Sequence, residues 1–166
     1  MVTEPKIEDC KEIVYIGVRT QVSLEEFGPS IPRLHQEAMA YMQQQNVQPD
    51  GAPIVRYNVI NMETKLDVTI CWPVAKTISG NGRVEPGVLP AGRYATVLYT
   101  GDYSGLRQAT GNLIDWAKAS GIEWDRWDDP NGDAFRSRYE SYITDPGEEP
   151  NPAKWQTAIY IKLAES

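Results

Sequence analysis

The chain of 166 residues contains one histidine and two cysteines. With His35 as the single imidazole, no catalytic constellation drawing on several histidines can be built, which removes much of standard hydrolase chemistry. Cys10 and Cys71 are far apart, in neither a CxxC nor a His-paired spacing, so neither a disulfide framework nor a zinc site is indicated and no metal or cofactor is implied. A reduced, cytoplasmic setting is the simpler expectation. The opening MVTEPKIEDCKEIVYIGV lacks a basic segment followed by an apolar one, and no stretch approaches the ~18 apolar residues of a membrane span, so neither secretion nor membrane insertion is expected. Positive charge is also scarce. Sixteen Lys and Arg face 23 Asp and Glu, a net charge of -7 that disfavours direct nucleic-acid binding and attracts cations.

The composition is that of an ordinary globular protein: 41% hydrophobic and 23% charged residues, at a length that suits one domain or two closely packed halves. A β-branched stretch within Lys11–Val22 predicts a strand. After Pro29, residues Ile31, Leu34, Ala38, Tyr41 and Met42 recur at helical spacing and predict a helix running to Gln45. Two strands follow, Ile54–Ile60 and Leu66–Val74. Residues 76–92, rich in glycine and proline, read as a linker, and the GNG at 80–82 as a turn rather than a phosphate loop. Beyond it come a strand at Arg93–Thr100, a helix carrying Leu106, Ala109, Leu113, Trp116 and Ala117, and strands at Phe135–Thr144 and Gln156–Ala164. Trp124 and Trp127 fall in a loop over 122–133, as a plug or a lid.

Strand, helix, strand, strand therefore occurs twice, which predicts a duplicated unit. Two overlays support it: Arg56-Tyr57-Asn58 on Arg138-Tyr139-Glu140, and DVTICWPVA (67–75) on QTAIYIKLA (156–164). Each helix covers one face of its sheet, and docking the units edge to edge would leave a cleft at the seam.

Period two in the last strands puts Thr157, Ile159, Ile161 and Leu163 on the helix-facing side, with Ala158, Tyr160 and Lys162 opposite; it groups Arg138, Glu140 and Tyr142 on one face. A carboxylate in an aromatic seam must be protonated, paired with an arginine such as Arg138, or matched by a bound cation. Spacing alone favours an ordinary ion-paired strand residue for Glu140. Tyr57, Trp72, Tyr142 and Tyr160, all on predicted strands, serve equally as sheet packing or as surfaces that stack on a flat ligand or hold a cation. His35 reads as a partly buried, hydrogen-bonded side chain.

The segments GDYSGLRQATGNLIDWAKASG (101–121) and RYESYITDPGEEPNPAKWQTAIYIKL (138–163) resemble the GyrI-like small-molecule-binding family, the effector-binding domain of multidrug-responsive regulators; PSIPRLHQEAMAYM is similar more loosely. The resemblance implies an α+β fold of two pseudo-symmetric β-α-β-β units, an SHS2-like tandem of antiparallel sheets with a ligand cleft at the junction. It implies one domain over 1–166, with unit one at about 5–76 and unit two at about 88–165. It puts Glu140 at the family's buried pocket carboxylate, with Tyr57, Trp72, Tyr142, Ala158 and Tyr160 as candidate ligand-binding residues. Ala158 stands where many members carry a second glutamate, so one anionic anchor is expected. Because the fold uses the whole length, no helix-turn-helix region is expected, and the chain reads as a freestanding module for hydrophobic or aromatic organic cations, acting as drug sensor, sink or regulator. Two alternatives follow from the same resemblance. One is a hydrolase of strained cyclopropane-containing compounds, with Glu140 as general base and Tyr142 or Tyr160 as hydrogen-bond donor. The other is a DNA gyrase-inhibitor-like protein that docks a partner through its acidic surface. A protein partner or a homodimer is compatible with each.

Overall fold

The structure, a computed structural model, describes residues 1–61 and 63–165. Among these the strands are β1 (Lys6–Cys10), β2 (Ile13–Ser23), β3 (Ile54–Ile60), β4 (Lys65–Pro73), β5 (Glu85–Leu89), β6 (Gly92–Thr100), β7 (Arg126–Asp129), β8 (Gly132–Phe135), β9 (Arg138–Tyr142) and β10 (Gln156–Lys162). The helices are α1 (Leu24–Gln44) and α2 (Leu106–Ala119). Every pairing is antiparallel, in the order β1-β6-β10-β9-β3-β4-β2-β5, with the β7-β8 hairpin attached beside β3.

The predicted duplication organises this order. In one unit the first strand pairs with the last, β2 with β4, and the last with the middle one, β4 with β3; β6, β10 and β9 repeat the pattern, and the units meet where β3 pairs with β9. The overlay of β4 on β10 fits the registers and fixes the rest. Cys71 pairs with Ile54, and its counterpart Tyr160 pairs with Tyr139, so Ile54 corresponds to Tyr139, Val55 to Glu140 and Tyr57 to Tyr142. The overlay of Arg56-Tyr57 on Arg138-Tyr139 is thus three residues out of step; the shared letters arose by chance. Val55 and Glu140, now equivalent, also face each other across the seam.

Several local expectations are corrected. Helix α1 starts before Pro29, because Ser23 caps the backbone N–H of Glu26 while the Glu26 carboxylate accepts from the backbone N–H of Ser23. The glycine-rich linker contains β5, an edge strand that tolerates Pro86 because one side of it has no partner to satisfy. The loop of Trp124 and Trp127 contains the β7-β8 hairpin, β9 begins at Arg138 rather than Phe135, and β1 lay outside the sequence reading altogether.

The sheet must curl. From β6 to β5 the order crosses six strand spacings, ~29 Å if flat, whereas the link from Leu89 to Gly92 spans at most ~11 Å. Closing that gap bends the sheet into a half-barrel. On the helix-bearing face, Leu34, Ala38 and Met42 of α1 pack on Ile16, Val18, Val68 and Ile70, and Leu106, Ala109 and Leu113 of α2 pack on Ala95, Val97, Ile159 and Ile161. On the opposite face the curl gathers Tyr15, Ile54, Cys71, Leu89, Tyr94 and Tyr139 from both units into a third cluster.

Candidate functional site

One cross-strand row on the helix-bearing face reads Val18, Ile70, Val55, Glu140, Ile159 and Val97. Five of its members are core β-formers; the sixth, at the seam between the units, is a carboxylate only 7% exposed. Glu140 lies between the cluster under α1, which holds Val55, and the cluster under α2, which holds Ile159.

Two tyrosines supply its hydrogen bonds. Tyr57 from β3 and Tyr142 from β9 both donate to Oε1, at 2.8 and 2.7 Å. Oε2 accepts none among the described residues. Glu140 takes part in none of the ion pairs among the described residues. Arg138 acts on it through the field only: its guanidinium is occupied by aromatic faces, 4.8 Å from the Phe135 centroid and 5.8 Å from that of Tyr57. Burial pushes the Glu140 carboxyl above the usual glutamate range, opposed by the hydroxyls of Tyr142 and Tyr57 and by Arg138. Burial, and then the Glu140 charge, raises both tyrosines well above the ordinary phenol value, so they remain protonated donors.

An aromatic cover sits over the carboxylate. Phe27 of α1 packs on Tyr57 at 5.8 Å, Tyr103 of the 3-10 turn Tyr103–Gly105 lies edge-on to Tyr142 at 5.6 Å, and Trp155 backs Tyr103 at 5.0 Å. His35 of α1 meets Tyr142 at 6.5 Å and Trp72 at 5.5 Å. Its Nε2 donates to the Ile54 carbonyl and the Trp72 indole N–H donates to the His35 carbonyl, each at 2.9 Å, while burial lowers the imidazole pKa. His35 is therefore a neutral brace between Trp72 and Tyr142.

The structure thus brings Glu140, Tyr57 and Tyr142 together and links Trp72 to them through His35. It does not bring Ala158 and Tyr160. Ala158 pairs with Ser141 and Tyr160 with Tyr139, residues that alternate with Glu140 and so point to the opposite side of the sheet. The junction does hold a 390 Å³ cavity, lined by Ile54 and Pro73 of one unit and by Tyr139, Ala158 and Tyr160 of the other, but the expectation that Glu140 shares it is corrected, because Glu140 lies on the helix-bearing face. On the Glu140 face the last strand offers Thr157, opposite Tyr142, with a buried hydroxyl that has no partner among the described residues. Phe27, Tyr103 and Trp155 escaped the sequence reading as site residues, and Thr157, placed there on the helix-facing side, was given no role in the site. Tyr103 had a signal, the GDYSG turn just before α2; alternation gave Thr157 its face but not its place opposite Tyr142, which pairing sets. Among the described residues no group of three His, Cys, Asp or Glu could hold a metal, and no helix is long and apolar enough to cross a membrane.

The family model described as the GyrI-like small molecule binding domain matches residues 3–164. The chain belongs to this family. Its GyrI-like fold recurs in solved structures. The crystal structure of the EcmrR C-terminal domain is 22% identical at a TM-score of 0.71, with 98% of each chain covered. The structure of SAV2435 bound to tetraphenylphosphonium is 12% identical at a TM-score of 0.67, covering 98% of this chain and 94% of that one. A hydrolase from Listeria innocua is 15% identical at a TM-score of 0.63, covering 97% and 92%. In the EcmrR-DNA complex, 22% identical at a TM-score of 0.72, the GyrI-like chain covers 58% of the longer EcmrR chain. No curated protein gives a significant match. At these identities the likeness carries the fold, and family membership makes the chain a small-molecule-binding domain.

Proposed function

We propose that this domain binds aromatic or hydrophobic organic cations at Glu140, as a drug sensor, sink or partner-controlled regulator. The observation that carries the reading is a buried carboxylate, set in an apolar row, whose hydrogen bonds come from two tyrosines and which has no ion-pair partner among the described residues. In such low-dielectric surroundings a ligand cation supplies the missing charge, and its attraction is far less screened than in water. Tyr57, Tyr142 and Tyr103 offer ring faces to the same cation. Access requires the cover to move: Tyr103, 40% exposed, and Tyr142 beneath it swing aside and release Glu140 to the ligand. The neighbour bound to tetraphenylphosphonium, a lipophilic cation, supports this ligand class by analogy.

The test is a fluorescence titration with a lipophilic cationic dye against the wild type and Glu140→Gln, beside a neutral isostere of the dye. The expected result is tight binding of the cation by the wild type, weak binding of the isostere, and lost affinity in a folded Glu140→Gln. Equal affinity in both proteins refutes the reading.

Hydrolysis remains the second reading, since Tyr142 already lies 2.7 Å from Glu140 in the geometry of a base beside a donor. Tyr160, on the far side of the sheet, drops out of it. Both tyrosine hydroxyls are engaged by the carboxylate itself, which favours binding over turnover. Products from a panel of strained cyclic substrates, with a pH profile abolished in Glu140→Gln, would reverse that order.

A further inference from the structure

The 390 Å³ cavity on the face away from the helices has no part in the Glu140 site. It is separated from that site by the thickness of the sheet: Tyr139 and Ser141 line it, while Glu140 and Tyr142, alternating with them along β9, point the other way. Its volume falls in the range of small-molecule sites, roughly 300–1,000 Å³. Its chemistry is specific. Tyr139 and Tyr160 lie parallel across β9 and β10, with centroids 4.9 Å apart and planes 10° apart, and the half-buried ring of Tyr160 forms an aromatic wall. Ile54 and Ala158 make an apolar floor. Glu12 and Asp50, both exposed, stand at the margin, and among the described residues no Lys or Arg lines the cavity. The charged side chains of the lining are therefore both acidic and both at its rim, and the walls present a flat π-surface beside small apolar side chains.

We propose that this cavity is a second ligand site, for a flat aromatic amine or other planar organic cation. The ring stacks against Tyr160 over Ala158, and the charge lies toward Glu12 and Asp50. A larger side chain at position 158 would fill the space the ring needs, which gives the alanine a role that its distance from Glu140 does not. The proposal rests on the cavity alone and is independent of what Glu140 binds.

Proflavine, a planar tricyclic cation, is titrated by fluorescence against the full chain carrying Glu140→Gln, so that the helix-side site is silenced. The expected result is a remaining saturable binding phase. Ala158→Trp in that background abolishes it, and Glu12→Gln with Asp50→Asn weakens it about fivefold, the scale of rim ion pairs. The double substitution lies on exposed side chains and decides the matter should Ala158→Trp fail to fold. Absence of any proflavine binding in Glu140→Gln, or binding within twofold of that background in both further variants, overturns the proposal.

Discussion

Tyr57 and Tyr142 occupy equivalent positions in the two units and donate to the same oxygen of Glu140, at 2.8 and 2.7 Å. Each unit thus contributes one hydroxyl to a carboxylate that lies directly on the seam, opposite its own counterpart Val55. The duplicated scaffold makes a symmetric pair of donors, and a single valine-to-glutamate difference places one charge between them.

Removing either hydroxyl should be costly. Tyr57→Phe and Tyr142→Phe are each expected to destabilise the fold by roughly 1.5–3 kcal/mol, the range for hydrogen bonds to charged groups. Because both bonds end on one oxygen, the double variant should not equal the sum of the singles. Urea unfolding of the four proteins at pH 7 checks both statements.

Glu140 should make stability depend on pH. Its folded-state pKa is raised by burial, so protonation favours the folded state: the stabilisation is complete below the unfolded pKa and is lost as pH rises through the folded one. Glu140→Gln removes this loss. Its melting temperature relative to the wild type should climb with pH across that window and then level off, as thermal scans from pH 4 to 8 would show.

Cation binding should follow the same titration in the opposite sense. Affinity for a permanently charged dye is expected to rise with pH as Glu140 ionises, above the usual glutamate range, and to stay flat in Glu140→Gln. Dye titrations at constant ionic strength test this directly.

The hydroxyl of Thr157, without a partner among the described residues, should be a cost to the fold. Thr157→Val keeps the shape and removes the buried polar atom, with an expected gain of about 1 kcal/mol. Denaturant midpoints of the two proteins give the answer.

Gly17 should tolerate no side chain. A Cβ there would collide with the Cys71 side chain and the Ile70 carbonyl, on the strand that pairs with β2. Gly17→Ala is expected to destabilise by about 1–3 kcal/mol, as overpacking does, measurable by urea unfolding.

The sequence by itself determined the two helices and the six strands of the repeated units, their duplication and the company of Glu140 with Tyr142, because alternation along a strand and helical spacing are local properties of the chain. It also held the β4–β10 correspondence, from which every other equivalence follows. Tertiary structure alone decided that Tyr57 reaches Glu140 from the other unit, that the helices share its face, and that Ala158 and Tyr160 line a separate cavity. These outcomes depend on which strands pair and in what register, where a shift of one residue exchanges the two faces of a sheet. The curl that closes Leu89 toward Gly92 is likewise a property of strand order, and no residue in the link announces it.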